Sequence, residues 1–131
     1  MLLRAGIWFL AIVTAAVGLL AMLLPRTFYQ RVPWVALDPP YSEHLMRDFG
    51  AMNLALALVV VVAGVTMERL LVRTVLGALL LFAVPHLIFH ATHVEHFSTS
   101  AAATELVALT IAAALPAALL ILTRRAHHAR A

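Results

Sequence analysis

The chain has no cysteine, which excludes disulfides, thiolate metal sites and cysteine nucleophiles from the start. It has no lysine either, so each of its nine basic residues is arginine. Charge of any kind is scarce, at 11% of residues against about 25% in soluble domains. Long polar stretches are also missing: the longest runs from Pro25 to Asp48, and only a short tail follows Thr123. Neither has room for a soluble domain. What remains is apolar, with 64% hydrophobic residues and a mean hydropathy of +1.01 over 131 positions.

A helix crossing the roughly 30 Å hydrocarbon layer of a bilayer needs about 20 mostly apolar residues. Four segments qualify, at about residues 2–24, 44–67, 70–96 and 101–123. The expectation is one all-α membrane domain over 1–131, an antiparallel bundle of four transmembrane helices in the inner (plasma) membrane. Four spans place both termini on one side. Arg4, Arg69, Arg73, Arg124, Arg125 and Arg130 belong to that side and Arg26, Arg31 and Arg47 to the other, so the positive-inside bias makes the termini cytoplasmic. Arg4 ahead of an apolar run also resembles a signal peptide. That run is long and lacks a clear A-x-A site, so it reads as a retained span. The arginines are spread over helix ends instead of forming a patch, which speaks against nucleic acid as a partner.

The first connection carries Phe28, Tyr29, Trp34 and Tyr41, rings suited to the headgroup layer. Pro39 and Pro40 stop any helix from passing through. Ser42 is then a natural N-cap, with Glu43 in a first turn where the helix dipole favours negative charge. Ser98, Thr99 and Ser100 offer caps for the fourth span. The connection at Glu68 and Arg69 is short enough to make the second and third spans a hairpin.

Four of the seven histidines fall between Pro85 and His96. On a helix, His86, His90 and His93 lie within about 60° of one another, with His96 displaced by about 60° more. Imidazole is both the commonest metal ligand and the side chain best placed to titrate near neutrality. His86 and His93 are about 10.5 Å apart along a straight helix, too far for one ion. An ion held by His86 with His90, or by His90 with His93, needs ligands from another helix. Glu105 is the first candidate, one turn inside the fourth span at about the depth of His86, and Asp48 the second. An ionisable group at that depth is costly unless it is paired. The plain alternative is that these histidines sit among headgroups, or that a His–Glu hydrogen bond locks two helices without doing chemistry.

Glu43 and Arg47 are spaced for an i, i+4 ion pair. Gly50 continues their face and Asn53 borders it, leaving a gap that admits a ligand or another helix. Pro85 and Pro116 each free a carbonyl inside a span, and the alanines at 112, 113, 114, 117 and 118 make the fourth helix thin enough for close approach. The arginines at the cytoplasmic ends are expected to snorkel to phosphates.

Membrane di-iron hydroxylases need about eight histidines in several boxes, and this chain has one run, so that assignment fails. The Pro25-Arg26-Thr27-Phe28-Tyr29 stretch, the opening Glu43, Arg47, Asp48, Gly50 ahead of Asn53-Leu54-Ala55-Leu56, and the histidine-bearing third span resemble the small four-helix bacterial membrane proteins of the DoxX-like families. The resemblance covers most of the chain. It implies a four-helix membrane fold and membrane partners, some members being tied to quinone-linked sulfur oxidation or redox-stress complexes. A looser likeness to sterol-isomerase-type bundles carries no residues over.

The favoured reading is a binding or accessory protein whose extracytoplasmic pocket, lined by Glu43, Arg47, Asn53, His86, His90 and Glu105, holds a lipid, quinone or similar amphiphile. The second reading is a divalent-metal site or metal-dependent enzyme using His86, His90, His93, Glu105 and Asp48. A third is a structural subunit that forms a homo-oligomer or joins a larger membrane complex through its fourth helix. An enzyme is less favoured than a binding protein.

Overall fold

The computed structural model describes all residues except 33, 38, 39, 96 and 129–131, and it describes the backbone but not the side chains of Leu37 and 124–128. Among the described residues there is no strand. The elements are α1 (Leu2–Leu23), α2 (Pro25–Arg31), a 3₁₀ turn (Val35–Leu37), α3 (Glu43–Thr66), α4 (Arg69–Ala91) and α5 (Thr99–His128). α1, α3, α4 and the Thr99–Thr123 part of α5 are each long and apolar enough to cross a membrane.

The ends of these helices follow from local chemistry. Pro25 opens α2 at a position whose N–H has no partner to lose. This short helix and the 3₁₀ turn occupy what the sequence reads only as a connection. α3 starts where expected: the Ser42 hydroxyl accepts from Leu45 N–H at 3.3 Å, and Glu43 lies in the first turn. It stops at Met67, which takes a left-handed φ of 52° and donates its N–H to the Ala63 carbonyl. Glu68 follows at once as N-cap of α4, its carboxylate accepting from the N–H groups of Leu70 and Leu71. At the start of α5, the Ser98 hydroxyl accepts from Ala101 N–H at 3.3 Å.

Two helices differ in extent from the sequence reading: α5 runs on to His128, past residue 123, and α4 stops short. α4 ends at Ala91 and not near residue 96. Thr92 turns its hydroxyl back to the carbonyls of Ile88 and Phe89, a local bond that competes with further helix. His93 therefore lies beyond the helix and does not extend the His86–His90 face; His96 falls outside the described residues.

The packing also departs from a simple sequence-neighbour hairpin. α1 packs most closely on α3, and α4 on α5, whereas α3 and α4 touch sparsely despite their two-residue joint. Two glycines explain the first pairing. A Cβ on Gly18 would stand 3.0 Å from the Gly50 carbonyl oxygen, and one on Gly50 would stand 2.8 Å from that of Gly18 and run into Met22 N. The two backbones are in direct contact, which only residues lacking a Cβ permit. The gap beside Gly50 thus admits another helix, α1.

Toward its other end α1 lays Ile7 and Trp8 against Gly64 of α3. Arg4, expected at phosphates, donates to the Val65 carbonyl at 3.2 Å, near the end of α3. The apolar core gathers at this same end, where Ile7, Leu10, Val60 and Ala63 meet Val72, Leu76 and Leu119. Large apolar side chains such as Ile12, Leu58, Leu81 and Val107 face outward, as a lipid-solvated surface allows.

Candidate functional site

At the opposite end, the start of α3, the end of α4 and the start of α5 converge around aromatic and imidazole rings. Phe28 of α2 lies 6.3 Å from Phe49 of α3, ring centre to ring centre, and Phe49 lies 6.2 Å from Phe82 of α4. Phe82 stacks on His86 at 5.2 Å with planes 22° apart, and His86 meets His90 edge-on at 4.6 Å. The spacing of Phe82, His86 and His90 at successive i, i+4 steps puts all three on one face of α4. His90 Nδ1 then reaches Glu105 Oε1 of α5 at 2.7 Å. A continuous run of rings therefore leads from α2 through α3 and α4 to a carboxylate on α5.

Glu105 is fully buried, at 0% exposure, and the His90 side chain is 16% exposed. A carboxyl group taken out of water needs hydrogen bonds or a charge partner, and His90 supplies one. The sequence puts Glu105 level with His86; its partner is His90. Helical side chains lean toward the N-terminus of their own helix. His90 therefore leans away from the α4–α5 connection and Glu105 leans toward it, and they meet between the depths of their backbones.

Two turns of α4 further from the α4–α5 connection, an open cleft of about 490 Å³ lies between α3 and α4. Its lining is almost wholly apolar, from Met52, Ala55, Leu56 and Val59 on one side and Ala78, Leu81 and Phe82 on the other. Asn53 is the one polar side chain in that lining, and its amide donates to the Phe49 carbonyl at 2.9 Å. Phe82 belongs both to the cleft and to the ring run, so the apolar space and the imidazoles are contiguous.

The remaining expected site residues are engaged elsewhere. Arg47 donates to the Met22 carbonyl at 2.7 Å and to Glu43 at 2.9 Å, so the pair fastens the last turn of α1 to the first turns of α3. Asp48 pairs with His44 at 3.2 Å on an exposed face. His93 stacks on Phe89 at 4.2 Å and places Nδ1 2.8 Å from the Phe89 carbonyl. The metal set of His86, His90, His93, Glu105 and Asp48 is thus not gathered: among the described residues, no three His, Asp or Glu side chains are placed to hold one ion. Phe49 and Phe82 are functional candidates that the sequence reading passes over. Their signal is the i, i+4 spacing of Phe82 with His86, and a Phe next to the crossing glycine Gly50.

No protein-family profile, curated protein or solved structure matches this chain.

Proposed function

We propose that this is a membrane-embedded binding or accessory protein that holds an amphiphile, its apolar tail in the α3–α4 cleft and its head against His86, His90 and Glu105. The supporting observation is Phe82, which lines the 490 Å³ apolar cleft and stacks on His86, the imidazole next to the His90–Glu105 pair. A fully buried carboxyl paired with an imidazole, with a second imidazole beside it, supports a polar head at this end of the site. A ligand head with oxygen atoms gives the second ring a partner. In this reading the four spans form an antiparallel bundle in the bacterial inner membrane with cytoplasmic termini, as in the DoxX-like families, and the site opens at the extracytoplasmic side. Asn53 lines the tail region, and Glu43 and Arg47 hold the scaffold without touching ligand.

Purification in mild detergent, solvent extraction and mass spectrometry test this directly. The wild type is expected to carry a stoichiometric amphiphile, and His86→Ala or His90→Ala to reduce it about tenfold, the loss of a hydrogen bond to a charged or strongly polar partner. Extracts that match an unrelated membrane protein, or that do not change with either substitution, overturn it.

A further inference from the structure

We infer that the collar made by α2, the 3₁₀ turn and the segment leading into α3 is a separate binding surface, which takes the phosphate of an anionic phospholipid on Arg26. Arg26 stands three residues past the end of α1 and Tyr41 two residues before the start of α3, so both lie at the ends of membrane-crossing helices. The Arg26 guanidinium sits over the Tyr41 ring, 5.4 Å from its centre. Tyr41 meets Tyr29 edge-on at 5.2 Å, and the Tyr29 hydroxyl donates to the Ala36 carbonyl at 3.3 Å. Three stretches of chain thus hold one cation in place before any ligand arrives, which removes part of the ordering cost of binding.

The occupant follows from what Arg26 lacks. Arg47 directs its donors to Glu43 and the Met22 carbonyl, and Arg4 donates to the Val65 carbonyl. Among the described residues no carboxylate or carbonyl accepts from Arg26, and the residue is exposed. Its N–H groups are left for a group outside the protein, and a guanidinium matches phosphate by pairing two N–H donors with two oxygens. Tyrosine rings beside the ends of membrane helices belong at headgroup depth, so the phosphate is one carried by the leaflet. Arg31 is exposed in the last turn of the same short helix and has no acidic partner among the described residues. Its added positive charge favours a lipid of net negative charge over a zwitterionic one.

Native mass spectrometry of the full chain, released from nanodiscs of equal phosphatidylglycerol and phosphatidylcholine, tests the inference. The wild type is expected to retain phosphatidylglycerol about fivefold over phosphatidylcholine, and Arg26→Gln to lose most of that preference. Arg31→Gln removes the same charge from the same helix, and a loss of only about twofold is expected from diffuse attraction. Tyr41→Phe keeps the ring and is expected to match the wild type, whereas Tyr41→Leu falls between the wild type and Arg26→Gln. A wild type without preference, or equal losses from Arg26→Gln and Arg31→Gln, overturns the site and leaves general positive charge. Displacement of phosphatidylglycerol by inorganic phosphate overturns the lipid source and assigns Arg26 to a soluble phosphate. In pure phosphatidylcholine Arg26→Gln is expected to unfold at the wild-type temperature; a lower one makes Arg26 a structural residue and overturns the inference.

Discussion

The two faces of α3 show two ways of ending a helix surface inside a membrane. Toward α1, Gly18 and Gly50 bring backbones into contact, and Arg47 seals the Met22 carbonyl, so nothing else fits. Toward α4, the same helix leaves an open apolar cleft, although only Met67 and Glu68 separate the two elements in sequence. Chain proximity does not decide packing here; side-chain volume does. Small residues close one face, and Phe49, Leu56 and Phe82 hold the other apart.

Substitutions at the two faces separate these roles. Gly50→Val drives a branched side chain into the α1 backbone, and a loss of about 3 kcal/mol or more is expected in mixed-micelle unfolding. A normal unfolding curve for that variant would mean the crossing is far looser than described. Glu105→Ala comes next. It deprives His90 of its buried partner, with an expected cost of about 1–2 kcal/mol, in the range found for polar contacts between membrane helices, together with loss of the bound amphiphile.

Arg47→Ala removes a side chain that fastens one helix end, and about 1 kcal/mol is expected. Bound amphiphile should stay at the wild-type level, which distinguishes a scaffold arginine from one lining the pocket. Gly77→Ala has the smallest effect. A Cβ there meets nothing within 4 Å, so helix propensity alone acts and the protein gains up to about 0.5–1 kcal/mol. Gly50 and Gly77 thus bracket the range: the same residue type, about two turns from the start of its helix in each case, is indispensable in one and dispensable in the other.

Much of this was readable from the residues. The spans follow from hydropathy, and the caps at Ser42 and Ser98 from hydroxyl chemistry next to apolar runs. The depth of Glu105 alone marks it as needing a partner. Three things were hidden for physical reasons. Helix pairing depends on which glycine meets which, and two glycines 32 positions apart carry no register in the sequence. The choice of His90 over His86 depends on the lean of side chains, which backbone depth ignores. The end of α4 depends on Thr92 bonding backward, a preference that apolar periodicity does not report. The role of Arg47 was obscured for a related reason: its acceptor is a backbone carbonyl, which every residue has.

The placement of the core bears on how the chain is made. His90 and Glu105 are separated by 15 positions (105 minus 90), whereas Arg47 follows Met22 by 25. At a synthesis rate of about 5–20 residues per second, α1 waits on the order of seconds for the partner that covers Gly18. The Gly18–Gly50 crossing and its Arg47 fastening involve no residue of α4 or α5. The second half arrives as a local pair and is joined to the first where Ile7, Val72 and Leu119 meet. The cleft between α3 and α4 is therefore a seam between two helix pairs, closed by the apolar core near the Met67–Glu68 joint and closed again where Phe49 meets Phe82.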